Sequence, residues 1–264
     1  MAGDDRQTIR TFWDNTPAGA YWPGTTGASD LAAEAAARER FEPYIAPFAR
    51  FEEATGLDVL EIGVGMGADH ARWARARPRR LAGIDLSARA IRITGTRLAL
   101  DRFDSSLAVS DGERLPFPDA CFDLVYSWGV LHHTPDAERA VAEIRRVLRP
   151  GGLVRVMIYH LHSVAGLMLW LRYGRGHTLR EVFERHVESP GTRAYTEDEA
   201  RALFAAFSAT DIRVQLSYGD LLQAEVGRRH RGPLLTLIKA VWPRWLLRRA
   251  ARRFGLYLLI EARR

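Results

Sequence analysis

The chain has 264 residues, 47% hydrophobic and 27% charged, enough for one large α/β domain with insertions. A single cysteine, Cys121, excludes an internal disulfide and a cysteine-based metal cluster and fits a reducing cytoplasm; its setting, "PDACFDLVYS", reads as buried and inert. The net charge of +6 is uneven: residues 226–264 carry 11 Arg or Lys and one acid, giving +10 and leaving −4 for the rest.

No apolar run reaches the ~18 to 20 residues that span a bilayer. The start, "MAGDDRQTIRTFWDN", lacks the apolar core of a secretory leader, so a cytoplasmic protein is expected. That start leads into "TFWDNTPAGAYWPG", dense in aromatics (Phe12, Trp13, Tyr21, Trp22), which reads as a cap segment within residues 1–50. "LDVLEIG" (57–63) is a short strand ending in glycine, "GADHARWARAR" (67–77) a helix stopped by Pro78, and "RLAGIDLS" (80–87) a second strand. Ser87 caps the helix "ARAIRITGTRLALDRF", and "SSLAVSD" (105–111) is a third strand. "CFDLVYSWG" (121–129), apolar on both faces, suits a central parallel strand. Thr134, with Pro135 in the first turn, is read as capping a helix that "RPGG" ends, before a fifth strand "GLVRVMIYH" (152–160). Strands alternating with helices predict a parallel sheet covered on both faces. Beyond it, Thr196 and Glu199 form a capping box, and "TDIRVQLSYGD" (210–220) and "GLYLLIEAR" (255–263) read as strands. Two insertions, 161–193 and 221–252, separate these pieces of a single domain over 1–264.

The chemistry starts at "LEIGVGMGADH". Gly63, Gly65 and Ala68 satisfy a dinucleotide fingerprint, with Asp85 twenty residues beyond Gly65 for a ribose hydroxyl. Glu61 argues the other way: a carboxylate two residues before the first glycine would repel a pyrophosphate and suits a cationic amino group. Ligands of open α/β sheets sit beyond the carboxyl ends of the strands. There Asp85 can accept ribose hydroxyls, Asp111 can accept an adenine amine, and the Gly112 and Glu113 amides face the ring edge. Such a run of acceptors matches S-adenosylmethionine, which is rich in donors and has no phosphate.

"VLEIGVGMGAD", "GIDLS", "DGERLPFPDACFDLVYSWGVLHHTPD" and "EIRRVLRPGG" resemble, in order, the motifs of class I S-adenosylmethionine-dependent methyltransferases, in the subgroup that includes ubiquinone/menaquinone-biosynthesis, sterol-type and natural-product enzymes. The resemblance covers roughly residues 57–160. It implies a Rossmann-like, doubly wound, seven-stranded, mostly parallel sheet with the last strand, "GLYLLIEAR", inserted antiparallel beside "GLVRVMIYH". It implies that Glu61, Gly63, Gly65 and Gly67 frame the methionine part, Asp85 and Leu86 the ribose, and Asp111, Gly112 and Glu113 the adenine, with Ser127 and Trp128 also against the cofactor. Val64 departs from the small or cysteine residue common there, which matters little because the backbone does the binding.

On the acceptor side, "SWGVLHH" places His132 and His133 where a general base would act; His132 is expected to face the pocket, with Tyr21 as a second catalytic candidate. His133, Tyr159, His160 and, from "LHSVAGLMLWLRY", Trp170 are the expected substrate contacts. No third metal ligand has suitable spacing to the histidine pair, so no metal is expected. "PRWLLRRAARRF" sets Leu246, Leu247, Ala250 and Phe254 opposite Arg248, Arg249, Arg252 and Arg253, which suits either a solvated face over a docked cap or peripheral membrane contact through 234–254. A nucleic-acid substrate is disfavoured, since no RNA-binding module and no "NPPY"-type motif is present. The sequence thus points to methyl transfer to an O or N atom of a small, partly apolar metabolite, with C- or O-methylation of a lipid or isoprenoid, or a non-catalytic cofactor-binding regulator, as alternatives; oligomeric state is not read from it.

Overall fold

The computed structural model describes residues 2–16, 30–189, 191–223, 239–240, 242–250 and 252–264. Tyr21, Trp22 and residues 234–238 of the basic segment lie outside the described residues. The strands are β1 (Asp58–Ile62), β2 (Arg80–Asp85), β3 (Ser106–Val109), β4 (Phe122–Trp128), β5 (Leu148–Tyr159), β6 (Ser208–Gln215) and β7 (Tyr257–Arg263). They form one sheet in the order β3-β2-β1-β4-β5-β7-β6. The first five are parallel, and β7 is antiparallel to both β5 and β6. The expected insertion of "GLYLLIEAR" beside the fifth strand is therefore seen, with Val156 opposite Ile260.

Helices cover both faces: α1 (Ala2–Asn15), α2 (Leu31–Phe41), α3 (Ile45–Ala49), α4 (Ala68–Arg75), α5 (Ala88–Asp101), α6 (Ala137–Val147), α7 (Val164–Tyr173), α8 (Leu179–His186), α9 (Glu197–Leu203) and α10 (Arg244–Ala250). The period-two alternation of the strands sorts their side chains between two cores. Leu60, Ile62, Val125, Val156 and Ile260 pack under α6 with Val141, Ile144 and Val147. Val59, Leu81, Leu124 and Tyr126 point the other way, onto Trp73 and Ala74 of α4 and Leu98 of α5. Arg155 is buried in β5, where it pairs with Glu53 and Glu261 and donates to the Ala49 carbonyl.

Local chemistry explains most boundaries. The Ser87 hydroxyl accepts from the Ala90 amide as the expected cap of α5, and the Thr196–Glu199 capping box is formed at α9. The cap of α6 differs from expectation: it is Asp136, which accepts from the Arg139 amide, while Thr134 closes the 3₁₀ turn Leu131–His133. The helix also stops earlier, at Val147, and "RPGG" lies inside β5. A register shift between Phe122 and Leu124 absorbs the extra residues, so Leu148 pairs with Phe122 and Leu153 with Leu124.

The chain runs β1, β2, β3 outward and returns to β4 on the other side of β1, so the strand order reverses between β1 and β4. A crevice opens beyond the carboxyl ends of strands at such a point.

Candidate active site

A cleft with an empty volume of about 820 Å³, counting the space at its mouth, occupies this position. Its walls are the loop after β1 (Gly63, Gly65), the end of β2 (Asp85, Leu86), the loop after β3 (Ser110, Asp111, Gly112), the end of β4 (Trp128, Gly129, Val130, His133) and the inner side of α1 (Arg6, Ile9, Trp13).

The glycine loop is held from three sides. The Gly63 and Val64 amides donate to the Ile84 carbonyl at 2.8 and 3.2 Å, and the Thr94 hydroxyl and the Arg97 guanidinium donate to the carbonyls of Gly65 and Met66. Gly63 (φ +81°) has left-handed backbone, and a Cβ on it would fall inside Val130. The missing side chain is what lets the end of β4 close against the loop. Gly67 opens α4, and a Cβ there would lie 2.8 Å from Thr94 Oγ1.

Asp85 joins the loop to β2. One carboxylate oxygen accepts from the Gly65 amide and the other from the Ser87 amide, both at 2.9 Å. Burial outweighs these donors and pushes its carboxyl up to about 6. Each oxygen keeps a lone pair for a further donor. Asp111 accepts from the Glu113 amide and meets Arg6 Nε at 3.3 Å; burial raises its carboxyl while Arg6 and Arg139 oppose the rise.

Several expected contacts sit elsewhere. Glu61 does not line the cleft. The alternation along β1 puts it on the Val59 face, buried, with its carboxylate 2.8 Å from His70 Nδ1 of α4; His70 Nε2 meets the Ser105 hydroxyl. Burial, reinforced by Asp69, pushes the Glu61 carboxyl well above its ordinary range. Glu113 is also behind the wall, 1% exposed, accepting from the Asp136 amide and paired with Arg6. Ser127 is fully buried in β4. Leu86, Asp111, Gly112 and Trp128 stand on the wall as expected.

The histidine pair is reversed. His132, expected to face the cleft, is fully buried and stacks on Tyr159 with centroids 3.8 Å apart. Burial, then the neighbouring His133, holds its imidazole neutral, well below the ordinary range. His133 is the one on the cleft wall, with the edge of Trp13 at 5.0 Å between centroids. The 3₁₀ turn Leu131–His133 turns the first histidine inward and presents the second. Tyr159 and His160 end β5 but are buried; His160 Nδ1 bonds the Gly255 carbonyl at 3.0 Å. Trp170 lies on α7, 40% exposed and donating to the His177 carbonyl, away from the cleft. Arg6, Ile9, Val130, Thr134 and Pro135 line the cleft although none is an expected site residue. Glu188, Ser189 and Thr192, far along the chain, close around the His133 ring.

Residues 60–156 match the family model described as a methyltransferase domain. Among curated relatives, methyltransferase GfsG of Streptomyces halstedii is 30% identical over 147 residues, 55% of this chain and 51% of that protein. A 27-O-demethylrifamycin SV methyltransferase of Amycolatopsis mediterranei is 35% identical over 99 residues, 37% of this chain and 36% of that protein. The chain thus spans about half or less of the length of these relatives. Among solved structures, a phosphoethanolamine N-methyltransferase 2 of Haemonchus contortus bound to S-adenosylhomocysteine matches 97% of this chain and 60% of its own, with TM-score 0.65 at 18% identity. The [4+2]-cyclase SpnF matches 98% of this chain and 93% of its own, with TM-score 0.55 and 18% identity. These structural likenesses show the fold.

Proposed function

We propose that the chain, whose residues 60–156 match a methyltransferase-domain model, transfers a methyl group from S-adenosylmethionine to an O or N atom of a small, partly apolar acceptor. The observation that carries this reading is Asp85: a carboxylate on the cleft wall, fixed by the Gly65 and Ser87 amides, with lone pairs left for a ribose diol at the β1/β4 switch point. The backbone of Gly63 and Gly65 lines the cleft, and Asp111 offers an acceptor for an exocyclic amine.

The bound cofactor supplies a methyl group on a sulfonium, already a strong electrophile. The protein's task is then alignment, holding the acceptor atom at ~3 to 3.5 Å on the line of the breaking bond. Trp128, Gly129, Val130 and His133 form the wall where an acceptor would enter, and Ile9 and Trp13 of α1 cover it from the solvent side. The imidazole that stands on the acceptor wall is His133 rather than His132. Asp85 suits the ribose of either kind of nucleotide and Glu61 is buried away from the cleft, so it is the methyltransferase-domain match of residues 60–156 that weighs against a dehydrogenase. Incubation with S-adenosylmethionine and a panel of hydroxy and amino acceptors, read as S-adenosylhomocysteine release, tests the proposal; a panel with no acceptor-dependent release counts against turnover.

A peripheral membrane role has its own support. Trp245 and Leu246 of α10 and Phe254 are 72%, 44% and 53% exposed beside exposed Arg248 and Arg249. Flotation with phosphatidylserine vesicles is expected to carry the protein, and flotation no better than with neutral vesicles removes this reading. No helix among the described residues is long and apolar enough to cross a membrane.

A further inference from the structure

Behind the cleft wall the fold assembles a cluster that the sequence spacing does not reveal. His132 and His133 from the 3₁₀ turn after β4 meet Glu188 from the segment after α8, and one donor atom from each lies within 4.8 Å of the others. His132 is fully buried, and neither of its ring nitrogens has a hydrogen-bond partner among the described residues. A buried imidazole with two idle nitrogens leaves a desolvated donor unmet, which calls for an explanation.

The hydrogen bonds around His133 narrow that explanation. The Thr192 hydroxyl donates its proton to the Ser189 carbonyl at 2.7 Å, so toward His133 Nδ1, 2.9 Å away, its oxygen can only accept. The Ser189 hydroxyl lies at the same 2.9 Å, so the two oxygens hold the ring by Nδ1 and direct Nε2 at Glu188. Nε2 lies 3.1 Å from a Glu188 carboxylate oxygen and has no aligned hydrogen bond among the described residues. A proton or a metal ion can bridge two atoms at that distance. Two ligand atoms each ~2.0 to 2.1 Å from one tetrahedral ion stand roughly 3.3 Å apart, close to this spacing. A histidine whose other nitrogen donates to a neighbouring oxygen is also the usual form of a metal ligand.

We propose that His132, His133 and Glu188 form a binding site for a first-row divalent transition ion, Zn²⁺ foremost, directly behind the acceptor wall of the cleft. Two imidazoles and one carboxylate match the preference of that ion and leave a position open to water or an acceptor atom. The Thr192 and Ser189 hydroxyls hold the His133 ring by Nδ1, with Nε2 toward Glu188. Glu188, on left-handed backbone (φ +47°), supplies the third ligand from the partly exposed side.

The metal site is read directly, without assuming methyl transfer. The full chain, stripped with a chelator, is titrated with Co²⁺ and followed by visible absorption, and with Zn²⁺ by calorimetry. One equivalent is expected to bind, with intense d–d bands for Co²⁺. Glu188→Gln, a change at a partly exposed carboxylate, is expected to weaken binding by at least about tenfold, the scale on which even supporting contacts of metal ligands matter. His132→Asn is expected to abolish it. S-adenosylhomocysteine affinity, measured on the same preparations, reports that each variant is folded and separates failure here from failure of the methyl-transfer reading. Absence of stoichiometric binding, or binding unchanged in both variants, overturns the site.

Discussion

Substituting Gly63 by alanine tests the glycine cradle most sharply. Two independent costs fall on that residue. Its φ of +81° is left-handed, which costs an L-residue ~1 to 2 kcal/mol. The added Cβ also falls inside Val130 Cγ2 and only 3.3 Å from Val130 Cβ, an overpacking of the kind that costs ~1 to 3 kcal/mol. Gly63→Ala is therefore expected to lose about 2 to 5 kcal/mol in urea denaturation. Val130→Ala removes the clashing methyls and, because Val130 is only half-buried, costs about 1 kcal/mol by itself. The double variant should recover the packing part and keep the backbone part, giving a favourable coupling of ~1 to 3 kcal/mol in the cycle. A Gly63→Ala cost below about 0.5 kcal/mol, or a cycle with no coupling, would refute the claim that the missing Cβ lets β4 close on the loop.

Two further outcomes follow from buried charge. Asp85 titrates at about 6 in the free protein because it is desolvated, so its folded-state value lies above the ordinary one of ~3.9. Its contribution to fold stability is thus present at low pH and lost as pH rises through about 6, whereas donor hydroxyls on a ligand require the ionised form. S-adenosylhomocysteine affinity should be level above about pH 7 and fall by up to about tenfold per unit below 6, with Asp85→Asn both weaker and flatter; a level wild-type profile down to about pH 5 contradicts this. Arg155→Ala removes the buried one of two guanidiniums that meet Glu53 and Glu261 and should cost about 2 kcal/mol, under the ~3 to 5 kcal/mol of a fully broken buried pair because Arg50 still meets both acids. A loss under about 1 kcal/mol in chemical denaturation would place Arg155 outside the folding core.

Elements set by local chemistry were legible in the sequence. The Ser87 cap, the Thr196–Glu199 box and the strand–glycine–helix order need only neighbours in the chain, and they specify the sheet and the position of the cleft. Errors arose where the fold chose between near-equivalent local options. Asp136 outcompeted Thr134 as the cap, and a bulge drew "RPGG" into β5. Glu61 was legible but misread: Val59 and Trp73 share a core, and two residues on from Val59 the same alternation turns Glu61 toward α4, not toward the cleft. Which of His132 and His133 faces outward depends on a single 3₁₀ turn, which hydrophobic periodicity does not encode. Glu188 and Thr192 reach His133 across more than fifty residues, a contact that no local pattern announces.

Isothermal titration of the full chain with S-adenosylmethionine, S-adenosylhomocysteine and NAD⁺ in parallel tests the central claim most directly. One equivalent of each sulfur nucleoside is expected to bind, with affinity reduced at least about tenfold by Asp85→Asn through loss of a charge-assisted bond worth ~1.5 to 3 kcal/mol, and NAD⁺ is expected to give no heat of binding. Silence toward both sulfur nucleosides, or preferential uptake of the dinucleotide, would contradict it.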